Sequence, residues 1–232
     1  LIWVYLVALR GAFWRSGPVL DRHSASTRPK VAAVVPARDE AGHIRASLGS
    51  LLAQDYTGDL HVILVDDNST DGTGELARSL DPRGRLTIVR GAPLPPGWSG
   101  KLWAMHQGLE EPHPLAADYV LLTDADIVHA PGHVGALIAQ PDSGNLDLVS
   151  EMVRLHCETL AERALIPAFV FFFQMLYPFA WVAQPDNRTA AAAGGTMLVR
   201  RAALNRIEGV SRIRNRLIDD CALAGEIKRN GG

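Results

Sequence analysis

The chain has 232 residues, of which 47% are hydrophobic and 21% charged, and its formal net charge at pH 7 is −2. This length and composition support a well-packed globular core and argue against extensive disorder. The near-neutral charge provides no general basic face, so nucleic acid is not an expected partner. The eight histidines form no HExxH or His/Cys cluster, which argues against a zinc site.

Residues 1–15, LIWVYLVALRGAFWR, form an apolar N-terminal segment. A membrane-spanning helix needs about 20 apolar residues, so this stretch alone does not span. We interpret it as a membrane-proximal helix, the end of a span cut off upstream, because Trp3, Tyr5 and Trp14 suit the membrane interface. The alternative is an amphipathic helix packed on the domain. Residues 16–29 are polar and predict a linker, and residues 30–232 are expected to form one domain of a longer protein, since the chain begins at Leu1.

Apolar runs and helical spacings alternate after residue 30. Buried strands are predicted at 31–35, 60–65, 85–90 and 118–123, and helices between them at 44–52, about 71–80 and about 100–110. This alternation predicts an α/β fold with a mostly parallel sheet covered by helices on both faces. The ligand of such a sheet lies beyond the carboxyl ends of its strands.

The second half of the chain departs from this rhythm. We predict a strand over 146–155, a short strand after the glycines within 194–201, and a final helix over 219–229. Residues 161–182 are strongly apolar and aromatic but are interrupted by Pro167 and Pro178. Residues 168–182 are too short and proline-broken for a span, so they are interpreted as an interfacial segment near a lipid acceptor, with a buried core helix as the alternative.

Carboxylates collect where the predicted strands end. They are Asp39 and Glu40 after the first strand, Asp66, Asp67 and Asp71 after the second, and Asp124 and Asp126 after the fourth. Their mutual repulsion costs free energy unless a cation or a donor-rich ligand lies among them. Hard oxygen ligands select Mg²⁺ or Mn²⁺, which commonly complete their coordination with phosphate oxygens. The sequence therefore predicts a metal-bridged phosphate ligand.

Two other interpretations of these residues bear on the prediction. Ser69 and Asp71 also suit a turn and a helix N-cap, a role compatible with a binding site. No GxGxxG follows the first strand and no GxxxxGK[ST] occurs in the chain, which argues against dinucleotide and P-loop sites.

Six stretches of the chain resemble, in order and spacing, family 2 glycosyltransferases with the GT-A fold: VVPARDE, VDDNSTDGT, SGKLWAMHQG, TDADI, GGTMLVRR and IDDCALAGEIKRNGG. The resemblance covers about residues 30–232. The stretches RGAFW, PPGWSGKLWAMHQG and PAFVFFFQMLYPF are similar to the hopene-associated glycosyltransferases of bacteria. The resemblance implies a nucleotide-sugar donor and a divalent metal, Mn²⁺ or Mg²⁺.

The resemblance also implies a donor site. Pro36 and Arg38, together with Asp67, would line the base and ribose of the nucleotide-sugar. Glu40 would help to hold that pocket. Lys101 would approach a phosphate; as an alternative, it would be a solvated lysine at the start of a helix.

The metal ligand, the base and the acceptor side follow from the same resemblance. Asp126 would bind the ion directly, and Asp124 would reach the ribose or the ion's waters. Asp220 would be the general base of an inverting transfer, although the family usually has Glu-Asp where this chain has Asp219-Asp220. The residues that would border the acceptor, together with Asp219, are Gly194, Gly195 and Thr196.

The expected function is therefore transfer of a sugar from a nucleotide-sugar, expected to be a UDP-sugar, to a lipid or lipid-linked hydroxyl, in hopanoid metabolism. The expected location is the cytoplasmic face of a bacterial inner membrane. One alternative is a sugar nucleotidyltransferase, but such an enzyme is expected to carry a glycine-rich loop after the first strand, where PARDEAG has a single glycine. The other alternative is a catalytically inactive module that binds sugar nucleotides.

Overall fold

The computed structural model describes residues 1–15, 17, 19–20, 27–81 and 84–232, with the main chain alone at 142–143. Residues 16, 18 and 21–26 of the predicted linker thus lie outside the described residues. The described strands are β1 (Val31–Ala37), β2 (Leu60–Asp66), β3 (Leu86–Arg90), β4 (Tyr119–Thr123), β5 (Leu148–Ser150) and β6 (Thr196–Arg200). They form one sheet in the order β3-β2-β1-β4-β6-β5.

The sheet is mixed but mostly parallel. β1, β2, β3 and β4 run parallel, whereas β6 is antiparallel to both of its neighbours, β4 and β5. The first four predicted strands are all present, so the predicted fold class is confirmed.

Helices cover both faces of the sheet. The helices of the described residues are α1 (Ile2–Val4), α2 (Ile44–Leu52), α3 (Thr73–Arg78), α4 (Gly100–Leu109), α5 (Pro112–Ala116), α6 (His133–Gly144), α7 (Leu160–Leu176), α8 (Phe179–Val182), α9 (Arg201–Arg206) and α10 (Asp219–Arg229). Of these, α1, α7 and α8 have no buried residues and do not belong to the core. A π-helical turn, Tyr5–Leu9, continues α1, and a 3₁₀ helix, Gly209–Ile213, follows α9. One core cluster joins the sheet to α4, α9 and α10, and the other joins it to α2, α3 and α6.

A crevice opens in the sheet between the carboxyl ends of β1 and β4. The two strands pair only as far as Val34 and Leu122, whereas β1 continues beside β2 to Ala37. Pro36 lies in this unpaired stretch, and its backbone nitrogen faces the β4 side because Val31 and Ala37 both bond toward β2. Its missing N–H therefore breaks no ladder hydrogen bond. This gap is the position where open α/β sheets bind ligands.

The prediction of a long strand over 146–155 is wrong. β5 has three residues, and Glu151 makes the last contact with β6 through its N–H, which donates to the Thr196 carbonyl at 3.2 Å. The residues just before β6 form a turn at Gly194-Gly195, so the apolar residues after 151 have no neighbouring strand to pair with. Helix α6 was not predicted, although Val134, Leu137 and Ile138 have helical spacing and are buried.

The N-terminal segment packs on the α7–α8 pair. Phe13 is buried, with its ring centroid 5.2 Å from that of Phe171. The Arg10 guanidinium donates to the Met175 and Leu176 carbonyls at the end of α7 and lies over the Trp181 ring. No residue of α7 is buried, so it is not the core helix of the alternative interpretation. Among the described residues, none of the helices has the length and apolar character needed to cross a membrane.

Candidate active site

The loops that follow β1 and β2 are joined by side chain to backbone hydrogen bonds. Asp39 accepts from the Thr70 N–H at 2.7 Å, and the Ser69 hydroxyl accepts from the Asp39 N–H at 3.0 Å. Asp71 accepts from the Ala41 N–H at 2.8 Å and from the N–H and hydroxyl of Thr73 at the start of α3. These bonds, the Thr73 hydroxyl first, lower the pKa of Asp71. Ser69 and Asp71 therefore stabilise the turn, as that interpretation held. The N-cap of α3, however, is Gly72, and no side chain caps this helix, so the N-cap part of the interpretation is wrong.

Asp67 lies where this loop pair meets α4. Its N–H donates to the Ala37 carbonyl at 2.8 Å, and its Oδ2 lies 3.6 Å from the Arg38 guanidinium. A Cβ added at Gly100 would lie 3.5 Å from the same oxygen. Asp67, with Arg38 as its ion-pair partner, thus lies beside the first turn of α4. The Glu40 carboxylate lies 3.1 Å from the His43 ring, and the Glu40 N–H donates to the Thr73 hydroxyl.

Lys101 connects the two sides of the crevice. Its ammonium lies 2.7 Å from Asp124 Oδ1 and 3.4 Å from Asp219 Oδ2. A cation in the first turn of a helix opposes the helix dipole, so the two carboxylates stabilise an otherwise unfavourable position. Asp219 Oδ2 is buried and accepts no hydrogen bond of good geometry within the described part of the chain. The ammonium is therefore its nearest compensating charge.

The pKa values of this cluster reflect burial and mutual charge. Burial by itself lowers the pKa of Lys101, but Asp124 and Asp219 outweigh that effect and raise it. Burial raises the pKa of Asp124; Lys101 lowers it, while Asp126 and Asp219 raise it further. Carboxylates that gather around a single ammonium still repel one another. The cluster therefore retains capacity for a further positive charge.

Asp126 is the exposed member of the TDADI stretch. Ala125 is buried, and the Ile127 N–H donates to the Asp124 carbonyl at 3.3 Å, which fixes a tight turn after β4. This turn leaves Asp126 exposed while Asp124 is half-buried. Within the described ranges, no group of three or more His, Cys, Asp or Glu side chains could hold a metal ion. The hard oxygens of Asp124 and Asp126 fit Mg²⁺ or Mn²⁺ only if ligand phosphates or water complete the coordination.

Asp220 lies against the glycine turn that precedes β6, the strand that pairs with β4. Its Oδ2 accepts from the Gly194 N–H at 2.8 Å, and its Oδ1 accepts from the Cys221 N–H at 2.6 Å. A Cβ at Gly194 would lie 3.1 Å from Asp220 Oδ2, so the close approach depends on glycine. Gly195 packs against Val153, and Thr196 is fully buried in β6.

The structure brings most of the predicted site residues to one edge of the sheet. Sequence analysis did not predict that Asp219 faces Lys101 while its neighbour Asp220 faces Gly194. It also missed Tyr177, whose pKa is raised by burial and by the neighbouring Cys221 and Asp220. Tyr177 is the residue by which the apolar helix α7 reaches Asp220. Pro178, which follows it in the sequence, indicates where α7 ends. No sequence pattern indicates that Tyr177 lies near Asp220, since the two residues are far apart in the chain.

A mostly parallel sheet with one antiparallel strand, and a crevice lined by strand-end carboxylates, define a GT-A nucleotide-sugar transferase fold. A family model described as glycosyl transferase family 2 matches residues 32–208. The chain therefore belongs to glycosyltransferase family 2.

Among curated proteins, the chain is 25% identical over 224 residues to the probable glycosyltransferase YdaM of Bacillus subtilis (strain 168). The match covers 90% of the chain and 51% of YdaM. The chain thus spans about half the length of this relative.

Solved structures of other glycosyltransferases share the fold. The mannosyltransferase PcManGT of Pyrobaculum calidifontis, in complex with GDP-Man and Mn²⁺, has a TM-score of 0.69 and 24% identity, covering 99% of this chain and 60% of that one. Residues 1–349 of Staphylococcus aureus TarS, in complex with UDP-GlcNAc, have a TM-score of 0.56 and 18% identity, covering 87% and 54%. At these identities the likeness concerns the fold alone.

Proposed function

We propose that the chain is the catalytic part of a metal-dependent, inverting glycosyltransferase. The proposal rests on one observation: Lys101, Asp124 and Asp219 converge beside the crevice between β1 and β4, while the adjacent Asp220 is fixed against Gly194. This geometry separates a charge cluster suited to a diphosphate from a carboxylate suited to an acceptor hydroxyl. The presence of both groups favours a transferase over an inactive sugar-nucleotide-binding module.

The donor is a nucleotide-sugar held by the strand ends of β1, β2 and β4. Arg38 and Asp67 border the space beside Pro36, which suits a base and ribose, and Glu40 supports the loop behind them. Lys101 is placed to exchange part of its pairing with Asp124 for a phosphate oxygen. We propose a UDP-sugar; PcManGT and TarS were solved with GDP-Man and UDP-GlcNAc, respectively, so both nucleotides belong in the test.

The metal is Mg²⁺ or Mn²⁺, held by Asp126 with help from Asp124. PcManGT was solved with Mn²⁺, which supports the choice of ion. When bound, such an ion neutralises negative charge on the leaving diphosphate. Lys101 contributes to the same stabilisation from the start of α4.

Asp220 is the general base. Its carboxylate takes the proton of the acceptor hydroxyl as the hydroxyl oxygen bonds to the anomeric carbon. The bond from that carbon to the diphosphate oxygen breaks on the opposite face, so the configuration inverts and the nucleoside diphosphate leaves. The Gly194 N–H, which donates to Asp220, holds the carboxylate in position for this step.

The acceptor is a lipid or lipid-linked hydroxyl, and the enzyme works at the cytoplasmic face of a bacterial inner membrane. Large apolar side chains of α7 are exposed, and α7 ends at Tyr177 beside Asp220. An exposed apolar surface that leads to the base suits a lipid better than a free sugar. A role in hopanoid metabolism is our proposal from the resemblance of the stretches around Trp14, Trp98 and Phe171.

The test titrates a panel of UDP-sugars and GDP-sugars into the full-length protein with and without Mn²⁺. We expect binding of at least one donor that weakens at least tenfold without the metal. No metal-dependent binding of any donor would contradict the proposal. Formation of a sugar nucleotide from a sugar phosphate and a nucleoside triphosphate would instead support the nucleotidyltransferase alternative.

Replacing Asp220 with Asn separates catalysis from binding. The variant keeps the shape of the side chain but removes the base, so donor binding should persist while transfer falls by about 100-fold or more. Asp186→Asn, an exposed aspartate, is the matched control and should leave transfer unchanged. Unchanged transfer in Asp220→Asn would show that the base is another residue.

A further inference from the structure

We propose that Thr123, His129, His133 and Glu151 form a proton-holding network that positions the Asp124 turn and the Gly195 backbone. None of the four belongs to the donor, metal or base positions described above. The inference deepens the proposed function and rests on it, because the backbone that it positions borders the proposed metal and acceptor sites.

The four side chains form a continuous chain from the end of β4 to the end of β5. The Thr123 hydroxyl oxygen lies 2.8 Å from the Gly195 carbonyl and 3.2 Å from His129 Nε2. His129 Nδ1 lies 2.8 Å from His133 Nδ1, and His133 Nε2 lies 2.7 Å from Glu151 Oε2. Thr123 and His129 are buried, whereas the Glu151 side chain is 38% exposed. The network thus runs from the interior to solvent.

The network holds one excess proton when all four of its contacts are hydrogen bonds. The four contacts need four hydrogen atoms, but a threonine hydroxyl, two neutral imidazoles and a carboxylate supply three. One additional proton lets every contact become a hydrogen bond. Glu151 then pairs with a protonated His133, His133 donates to His129, His129 donates to Thr123, and Thr123 donates to the Gly195 carbonyl.

Loss of that proton reverses the direction of two hydrogen bonds, the one between His133 and His129 and the one between His129 and Thr123. His133 must then keep its hydrogen on Nε2 for Glu151, so His129 donates through Nδ1 and its Nε2 becomes an acceptor. The Thr123 hydroxyl can donate either to His129 or to Gly195, but not to both. The Gly195 carbonyl then depends on the Asp124 N–H, which is 3.4 Å away.

The excess proton resides at the outer end of the network. Burial, followed by the charge of His133, lowers the pKa of His129 to about 4, so His129 stays neutral near pH 7. The outer end has a carboxylate, Glu151, as partner and reaches solvent. Two side chains accept from the backbone N–H groups of the same loop, those of Ser50 in α2 and of Gln54, which follows this helix. A Cβ added at Gly132 would lie 3.8 Å from the Asp55 carboxylate, which is thus a charge on this side of the loop.

The sign of the pH dependence follows from this arrangement. The complete network holds one proton more than the network that has lost it, so low pH favours the complete network. The hydrogen bond from Thr123 to Gly195 therefore weakens as the pH rises. Replacing Glu151 with Gln removes the charge that holds the proton but keeps an oxygen that accepts from His133. The release should therefore move to lower pH in Glu151→Gln, by about one pH unit or more, a tenfold change in proton affinity.

The experiment records long-range ¹H–¹⁵N spectra of the histidine rings in the full-length protein between pH 5 and 9. We expect His129 to change from the Nε2–H to the Nδ1–H tautomer in the same pH range in which His133 loses a proton. Glu158→Gln is the matched control, since Glu158 lies 3.4 Å from the exposed His156. A single unchanged tautomer of His129, or a transition at the same pH in Glu151→Gln, would overturn the proposal.

A second measurement tests positioning with the probe UDP and Mn²⁺. Thr123→Val removes the hydroxyl at nearly constant volume and should weaken Mn²⁺-dependent UDP binding about fivefold, while Thr123→Ser should restore it. Equal binding by all three proteins would refute the positioning role. If UDP binds none of them, including the unaltered protein, the UDP-sugar donor is wrong and the measurement is repeated with GDP. If GDP does not bind either, the proposed function fails, and the ring spectra still decide whether the proton network exists.

Discussion

Individual side chains in the crevice have divided roles, and the adjacent aspartates of α10 illustrate the division. Asp219 shares the Lys101 ammonium with Asp124, whereas Asp220 is held by the N–H groups of Gly194 and Cys221. Both occupy the first turn of α10, where a helix dipole favours carboxylates. The dipole alone therefore accounts for their residue type, and only their separate partners distinguish a charge-cluster residue from a base.

Lys101→Met tests whether the ammonium serves a phosphate. Methionine keeps the length of the side chain but removes its charge, so UDP binding in Mn²⁺ should weaken about tenfold or more. Binding of Mn²⁺ alone should be at least as tight as in the unaltered protein, because no ammonium competes for Asp124. Calorimetry of both ligands checks this pair of results, with the exposed Lys30→Met as control. Unchanged UDP binding would limit the role of Lys101 to its ion pairs with Asp124 and Asp219.

Gly194→Ala tests the positioning of the base. The added Cβ would stand 3.1 Å from Asp220 Oδ2, so the carboxylate must shift by a few tenths of an ångström. Small misplacements of catalytic groups are costly, and we expect transfer to fall about tenfold or more. Gly49→Ala in α2 is the control, since nothing lies within 4 Å of its added Cβ. Transfer that falls equally in both variants would contradict a specific effect on Asp220.

Among the helices and strands, the sequence pattern predicted those elements whose formation depends on the residues within them. β1, β2 and β4 were predicted because each is a mostly apolar run buried on both faces of the sheet. β3, at the edge of the sheet, is only partly buried, but its short apolar run was sufficient to predict it. β5 was predicted too long because its length is set by its neighbour β6, which begins only after the chain turns at Gly194-Gly195. The carboxylates at the strand ends were predicted for the same local reason. The pairing of Lys101 with Asp219 joins distant parts of the chain, so no local pattern contains it.

Helix α10 also connects the base to the apolar elements. The Lys228 ammonium, near its end, donates to the carbonyls of Trp181, Val182 and Thr189. Three carbonyls bind this cation, two of them in the last turn of α8, and burial lowers its pKa. The helix that carries Asp220 in its first turn therefore also anchors α8.

Lys228→Met should release α8 from α10. We expect local opening to become easier by about 2 kcal/mol, the typical contribution of hydrogen bonds from a charged group. Hydrogen exchange at the Val182 and Ala183 amides checks this, with the amides of β1 as an internal reference. Lys228→Arg keeps the charge and should preserve part of the protection. Equal exchange in the Met variant would show that Lys228 does not hold α8.

At the scale of the whole molecule, the exposed apolar surface formed by the N-terminal segment, α7 and α8 is connected to the crevice through α10. The N-terminal segment, α7 and α8 contact one another through Phe13, Phe171 and Arg10, and α8 is tied to α10 by Lys228. The exposed large apolar side chains of these elements are Ile2, Trp3, Val4, Val7, Leu9, Trp14, Leu160, Leu165, Phe169, Phe171, Phe172 and Leu176. A soluble surface rarely collects so many, which indicates an interaction surface.

A lipid bilayer is the occupant that we propose for this surface. Aromatic rings suit the headgroup level, and Arg15 and Arg163 are exposed on the same elements, where they can meet anionic headgroups. Docking by this face would bring Tyr177 and the nearby Asp220 toward the membrane. A lipid hydroxyl could then reach the base without leaving the bilayer surface.

Vesicle binding tests this arrangement directly. Phe169 and Phe172 are 59% and 51% exposed, and burying such a side chain contributes about 1.5–3 kcal/mol. Changing both to Gln should therefore weaken co-sedimentation with anionic vesicles by at least about tenfold. The control changes Leu94 and Leu115, which are 55% and 49% exposed but lie on other elements, to Gln. Equal loss in both variants would mean that general surface polarity governs binding, and no loss in either would remove α7 from the membrane-facing surface.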